Sequence, residues 1–419
     1  MHRDVPSPRV PPELIPGVIR NLHSDKPTLS ACALVSQYWF ELARPLLFRT
    51  ITYSYHFERN PSNWPHPEHP SPLLPLAYFF ESQAVLSSMV YNLELLMAGS
   101  GTTRDGLDIF VRILRCFPHL QSLKLAGIPF DPIYKNPRNA VSLPVIPHLG
   151  VLKIVHSGYR GDMYATQLGD IPYVLCLFGA VQSLVFGSRI GCNTLLSEWE
   201  WWQPEHSLPC PQIHSLELSD AFVLSGPTPI PGLENIRVLK LHVVDQDAHR
   251  PVSGCVRRFL NRNHESLQTL QFIINPVVPK FSDLDFIDFS PLRSLRSLVF
   301  PLPAWCGNST DQRPSRRSGI TGIHHTAYTS VVRAIATSPP SSLQTVVVEL
   351  FLYDPSCHWV EFPLRGAQDL EELEDVCVHK ALPTFEIRAG PGHVFSEHDR
   401  LQFKTALPIL SERGVLQLL

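Results

Sequence analysis

Hydrophobic positions recur along this chain on two different periods. From Val10 to Phe48 they fall at helical spacing. Pro11-Pro12-Glu13 opens the segment, where proline suits a first helical turn and an early carboxylate suits the dipole. Leu14, Ile15, Val18, Ile19 and Leu22 then share one helix face. Ser24-Asp25-Lys26-Pro27 breaks that helix, and Thr28 is placed to cap a second one running through Leu29, Cys32, Ala33, Val35 and Trp39. A third apolar group, Leu42, Leu46, Leu47 and Phe48, closes the segment around Pro45. Three short helices in about forty residues make a core below the size at which domains stand alone. The remaining apolar surface therefore needs a partner or the rest of the chain.

From Val90 onward the period changes. An apolar-x-x-Leu-x-apolar signature returns as Val90/Leu93/Leu95, Leu120/Leu123/Leu125, Leu149/Leu152/Ile154 and Val181/Leu184/Phe186, then as Ile213/Leu216/Leu218, Ile236/Leu239/Leu241, Leu267/Leu270/Phe272 and Leu295/Leu298/Phe300. The central residue is always leucine, at intervals of 30, 29, 32, 32, 23, 31 and 28. Short apolar triplets arise by chance in so apolar a chain, so the interval carries the weight. Each unit supplies one short strand, and a return path follows it. Helices are predicted on that path at Leu107–Phe117, Val252–Asn263 and Val331–Thr337, the last before a further strand at Leu343/Val346/Val348. No such unit buries its own apolar face, so the units must stack.

Between these regions, 49–56 alternates as a strand, Asn60–Pro75 reads as a proline- and histidine-rich linker, and Leu76–Ser88 reads as a helix. The period is interrupted at 301–326, a polar, Gly/Pro/Ser-rich insertion that is basic at Arg313, Arg316 and Arg317. A degenerate unit is expected near Leu370/Leu373/Val376 and a strand at Thr384–Arg388. A final helix should begin at Ser396, kink at Pro408 and end at Gly414, with Val415–Leu419 as a last edge strand.

The pieces PPELI at 11–15, HSDKPTL at 23–29, ACALVSQYW at 31–39 and ARPLLF at 43–48 resemble, in order and spacing, an F-box of the form common among fungal (basidiomycete-type) F-box proteins. Two residues depart from the pattern: Pro16-Gly17 falls inside the first helix, and Gln37 stands where a basic residue is frequent. The repeats resemble the irregular leucine-rich repeats that often follow an F-box, although most units lack the Asn or Cys expected a few residues after the second Leu. The fold class expected is α/β: a three-helix F-box over 8–50, a linker and N-terminal cap over 51–88, and a leucine-rich-repeat-like solenoid over 89–419. The solenoid would carry parallel strands on its concave face, helices on its convex face and a C-terminal cap at 384–419. A non-repeat α/β domain is the alternative.

Composition narrows the function classes. A net charge of −3 lacks the basic excess of a general nucleic-acid binder. The N-terminus MHRDVPSPRV has no apolar signal-peptide core, and the run Tyr173–Val185 is too short to span a membrane. Nine scattered cysteines without C-x-x-C spacing fit a reduced, cytoplasmic or nuclear protein and offer no zinc site. His2-Arg3-Asp4 lacks every other kinase element, and the glycines from Gly99 to Gly106 lack the Lys-Ser/Thr of a phosphate loop. His324-His325 and Glu397-His398-Asp399 have no third ligand in pattern. No metal, cofactor or catalytic residue is expected.

The resemblance implies docking onto the Skp-type adaptor, and through it a cullin, of a ubiquitin ligase, with a separate protein substrate held by the repeats. Its docking residues would be Pro11, Pro12, Leu14, Ile15, Leu22, Leu34, Val35 and Trp39, the last by filling the small core. Outward-facing strand residues Lys124, Lys153, Glu217, Lys240 and Gln271 are the candidate substrate face. Trp201 and Trp202, in a Trp-Glu-Trp-Trp run, read either as a binding hot spot or as a satellite core under a long loop. Two other functions stand beside this one. The first is a repeat scaffold without a ubiquitin role, favoured if Leu14, Val18 and Leu22 are buried against the repeats. The second is a hydrolase or transferase, which needs a deep pocket with paired perturbed groups.

Overall fold

The computed structural model describes residues 11–56, 73–98, 107–126, 144–156, 171–188, 210–219, 232–243, 252–274, 287–304, 329, 331–339, 342–352, 367–390 and 394–419. The protein is mixed α/β, with twelve strands hydrogen-bonded in chain order in one parallel sheet. By compactness the chain divides into two units, one from the N-terminus to Val181 and one made mainly of 212–419.

In the first unit a 3-10 turn at Pro12–Leu14 leads into α1 (Ile15–Asn21), followed by α2 (Lys26–Ala33) and α3 (Gln37–Leu47). The second helix is capped by Asp25 rather than by Thr28. The Asp25 carboxylate accepts the Thr28 backbone N–H at 3.1 Å and the Thr28 hydroxyl at 2.7 Å, and these bonds hold its carboxyl below the usual carboxylate range. That helix also stops at Ala33 instead of reaching Trp39. Ser36 takes an extended conformation, its Oγ accepts the Trp39 N–H at 3.3 Å, and a new helix starts at Gln37. Pro45 lies within α3, where it has no N–H to donate back to the Glu41 carbonyl, and the helix ends two residues later. Ile15, Ile19, Leu29 and Ala43 form the module's core, with Leu22, Cys32, Trp39, Leu42, Leu46 and Leu47 packed on it.

β1 (Thr50–His56) leaves this module directly, and Lys26 Nζ donates to the Thr50 carbonyl at 2.8 Å, tying α2 to the strand. Then follow α4 (Leu73–Ser82), α5 (Ala84–Ser87), β2 (Asn92–Ala98), α6 (Leu107–Arg115), β3 (Ser122–Ala126), β4 (Ile146–His156) and α7 (Ile171–Leu175). β5 (Phe178–Ser188) begins in the first unit and continues in the second. The linker expected to reach Pro75 ends sooner, because α4 starts at Leu73, and 57–72 lie outside the described residues.

The second unit contains β6 (Gln212–Leu218), β7 (Val238–Val243), α8 (Val252–Arg262), β8 (Thr269–Ile274), β9 (Ser297–Ala304) and β10 (Thr345–Leu352). Residues 331–337 are helical, as their pattern predicts. Three further elements, α9 (Ala367–His379), β11 (Thr384–Ala389) and α10 (Glu397–Ala406), precede α11 (Pro408–Glu412) and β12 (Leu416–Leu418). Two sequence expectations shift here. Leu370 and Leu373 lie on α9, whereas the strand expected at Thr384–Arg388 forms as β11 and itself carries the repeat spacing, as Leu382/Phe385/Ile387. The insertion begins after Ala304, because Pro301–Ala304 stay paired with β10; residues 305–326 lie outside the described residues.

Strand register carries the repeat. In the first unit Ile51, Leu93, Leu123 and Leu152 are aligned neighbours. In the second, Leu216, Leu239, Leu270, Leu298, Val346, Phe385 and Leu416 are aligned likewise. All the predicted central leucines are fully or almost fully buried. Burying one such side chain stabilises by about 1.5–3 kcal/mol, so the inward column dominates the fold's energetics.

Helix ends on the return path carry buried small polar residues that sequence reading did not anticipate. Asn263 accepts the Ile236 N–H of the preceding repeat at 3.1 Å and donates to the Phe259 carbonyl. Ser87 donates to the Phe80 and Gln83 carbonyls, and Ser338 to that of Ala334. Cys176 and Cys377 occupy similar places, where burial pushes both thiols up to about 12 and keeps them unreactive. In these repeats the small polar residue or cysteine stands ahead of the strand rather than after it.

Backbone approach is closest at Gly179, where an added Cβ would lie 2.6 Å from the Pro147 carbonyl oxygen and 3.3 Å from a Pro144 side-chain carbon. Gly179→Ala is expected to destabilise by about 1–3 kcal/mol, since strand spacing must widen to admit the methyl. Gly17, inside α1, faces open space. Gly17→Ala should stabilise by about 0.5–1 kcal/mol. Chemical denaturation of both variants checks the pair, and equal shifts of the same sign would contradict it.

Candidate docking module and strand face

The helical module places its candidate residues on two sides. Ile15 is buried in the module's own core, and Leu22 and Trp39 pack against that core, so these three hold the module together. Pro11 and Pro12 are exposed at the N-terminal 3-10 turn. Leu14 and Leu34 are 59% and 87% exposed, and Val35 is 64% exposed at the turn between α2 and α3. Val18, one helical turn after Leu14, and Tyr38 in the first turn of α3 are also exposed, each by a little under half. Tyr38 was missed by the sequence reading because it follows a helix boundary that the apolar period conceals. Neither Leu14 nor Val18 is covered by the repeats.

On the sheet, the outward residues lie between the buried columns. In the first unit Glu94, Lys124 and Lys153 are aligned neighbours, and Lys124 Nζ lies 3.4 Å from the Glu94 carboxylate. In the second unit Glu217, Lys240 and Gln271 are aligned. Glu217 takes Lys240 Nζ at 3.9 Å on one oxygen and His242 Nε2 at 3.2 Å on the other. The row continues through Val299 and Val347, both buried despite facing away from the inward column, to Glu386, whose carboxylate accepts Arg388 Nε at 3.0 Å. Trp201 and Trp202 lie outside the described residues, as do Gly99–Gly106 and His324-His325.

The chemistry of this face is that of ion pairs held in register. Among the described residues no group of three or more His, Cys, Asp or Glu side chains could hold a metal ion. Nor is any helix among them long and apolar enough to cross a membrane. Glu349 on β10 is the one acid of this face with a raised pKa among the described residues. Burial pushes it up, while Arg388 and Lys240 act against the shift.

A raised carboxyl pKa in the folded state opposes folding wherever the group is ionised, and the cost disappears as pH falls through the folded pKa. Glu349→Gln should therefore raise stability at neutral pH, and the gain over wild type should shrink on acidification. Denaturation midpoints measured across the weakly acidic range check this, and a pH-independent difference would contradict it.

No protein-family model matches this chain, and no curated protein matches it.

Proposed function

We propose that the chain is a substrate-recognition subunit of the F-box kind, whose helical module docks onto a Skp-type adaptor of a cullin-based ubiquitin ligase while the leucine-rich-repeat-like strand face holds a protein target. The observation that carries this reading is the exposure of Leu14, Val18, Leu34, Val35 and Tyr38 on a module whose own core is filled by Ile15, Ile19, Leu29 and Ala43. Five large apolar side chains exposed on so small a module exceed the scattered singles normal for a surface. Their placement at a helix start and an interhelical turn suits reception of a partner's helices.

On this reading the chain contributes binding and orientation, and the covalent step belongs to other subunits. The bond from Lys26 to the Thr50 carbonyl suits that orienting role, since it ties α2 to the first strand. Exposure of Leu14 and Val18 also argues against a module that merely caps the repeats, which needed them covered.

The test is a pull-down of purified Skp-type adaptor by the full chain and by the Leu14→Asp/Leu34→Asp variant. Both residues are exposed, so the variant should fold, as circular dichroism can verify. Wild-type capture with a loss of affinity of tenfold or more, roughly the scale of interface hot spots, is the expected result. A folded wild type that captures no adaptor would remove the ligase role and leave a repeat scaffold.

A further inference from the structure

The starts of the strands in the second unit carry a row of hydrogen-bond donors. His214, Arg237, Gln268, Arg296 and Gln344 precede the paired segments of β6 to β10. Each lies beside the next, because the Arg237 N–H donates to His214, that of Gln268 to Arg237, that of Arg296 to Gln268 and that of Gln344 to Arg296, all through backbone carbonyls. One residue further along, Ser215, Val238, Thr269, Ser297 and Thr345 form a second aligned row, hydroxyl-bearing in four of its five positions. Neither row contains an acid. Arg237, Arg296 and Gln344 are exposed, and among the described residues their side chains have no ion pair or hydrogen bond.

The turns ahead of these strands add Arg293, Glu234 and Glu265, and Glu265 lies 3.5 Å from His264. The middle of the strands differs in character: Glu217 pairs with Lys240 there, and Glu386 with Arg388 on β11. Among the described residues neither arginine of the donor row has a counter-ion; Arg293 and Glu234 in the turns likewise have none.

Spacing supplies the ligand's geometry. Arg237 and Arg296 are two strands apart, about 10 Å at ordinary strand separation. A peptide in polyproline II form rises about 3.1 Å per residue and repeats its side-chain direction every three residues, so acids three residues apart lie on one face about 9 Å from each other, close to that distance. Gln268 between the arginines can meet the backbone of a peptide crossing the strands. We propose that this strand-start rim binds an extended acidic segment of a partner protein, of the pattern Glu-x-x-Glu, with one carboxylate on Arg237 and the other on Arg296. The assignment goes beyond adaptor docking and does not depend on it, since the residues belong to the repeats alone.

Fluorescence polarisation of the full chain, without adaptor, tests it with short labelled peptides of equal length. One carries Glu-x-x-Glu, a second Gln-x-x-Gln and a third phosphoserine at the same two positions. The glutamate peptide should bind about tenfold more tightly than the glutamine peptide, with affinity falling as salt rises, as expected for a few partly exposed charge-assisted bonds. Arg237→Glu/Arg296→Glu should abolish that preference, whereas Arg333→Glu/Arg413→Glu, an equal charge change at two other exposed positions, should leave it intact. Equal binding of the glutamate and glutamine peptides, or indifference to the double variant, overturns the proposal. Binding of the phosphoserine peptide alone overturns the carboxylate assignment, and tighter binding of single-stranded DNA than of the glutamate peptide overturns the protein partner.

Discussion

The structure depends on one column of inward-facing side chains held in strict register. Leu216, Leu239, Leu270, Leu298, Val346 and Phe385 each lie beside the next across adjacent parallel strands, and all are essentially inaccessible to water. A single strand cannot shield its own leucine; the strands on either side and a return helix do so. Stacking in turn buries backbone groups at the turns, and each must find a partner. Ile236 illustrates the solution: its N–H goes to Asn263 and its carbonyl accepts from the Ser266 hydroxyl, both on the next repeat. Ser294 does the same for the Glu265 carbonyl, at 2.6 Å. Apolar burial supplies the driving force, and these bonds fix where each repeat sits on its neighbour.

That dependence explains which parts of the chain are legible in its sequence. The central leucines could be read because alternation and interval both constrain them, and a slip of one residue would turn a leucine out to water. The strand around Phe385 was legible, but its place as a repeat unit was not, because phenylalanine replaces the leucine and Leu370 and Leu373 on the neighbouring helix offered a better literal match. Helix boundaries in the N-terminal module failed for a different reason. Ser36 interrupts the helix by a local side-chain bond, and apolar spacing passes through it unchanged. The candidate site was legible only in part, since exposure depends on how α1 rotates onto α3. Ile15 and Leu14 are neighbours in sequence, yet one is buried and the other exposed.

Outward strand positions are free of core duty, and they have taken two forms. Across the middle of the strands, charges are matched: Glu94 with Lys124, Glu217 with Lys240 and His242, Glu386 with Arg388. Such partly exposed pairs contribute little to stability, about 0–1 kcal/mol each. Their physical consequence is to leave that band nearly neutral and already satisfied. At the strand starts the donors are unmatched, and a surface of unmatched donors gains more from an incoming anion than a band of closed pairs does.

The two surfaces are separable in energy. Leu14 and Leu34 belong to the helical module, and Arg237 and Arg296 to strands of the other compact unit. In a chain whose repeats interact mainly with their neighbours, substitutions at such places share no partner and their effects should add. All four side chains are exposed, so replacing them leaves no cavity and no orphaned buried group. Loss of binding at either surface is therefore interpretable as loss of that contact. The same cannot be said of Ile15, Leu22 or Trp39, whose replacement would unpack the module and remove any docking face with it.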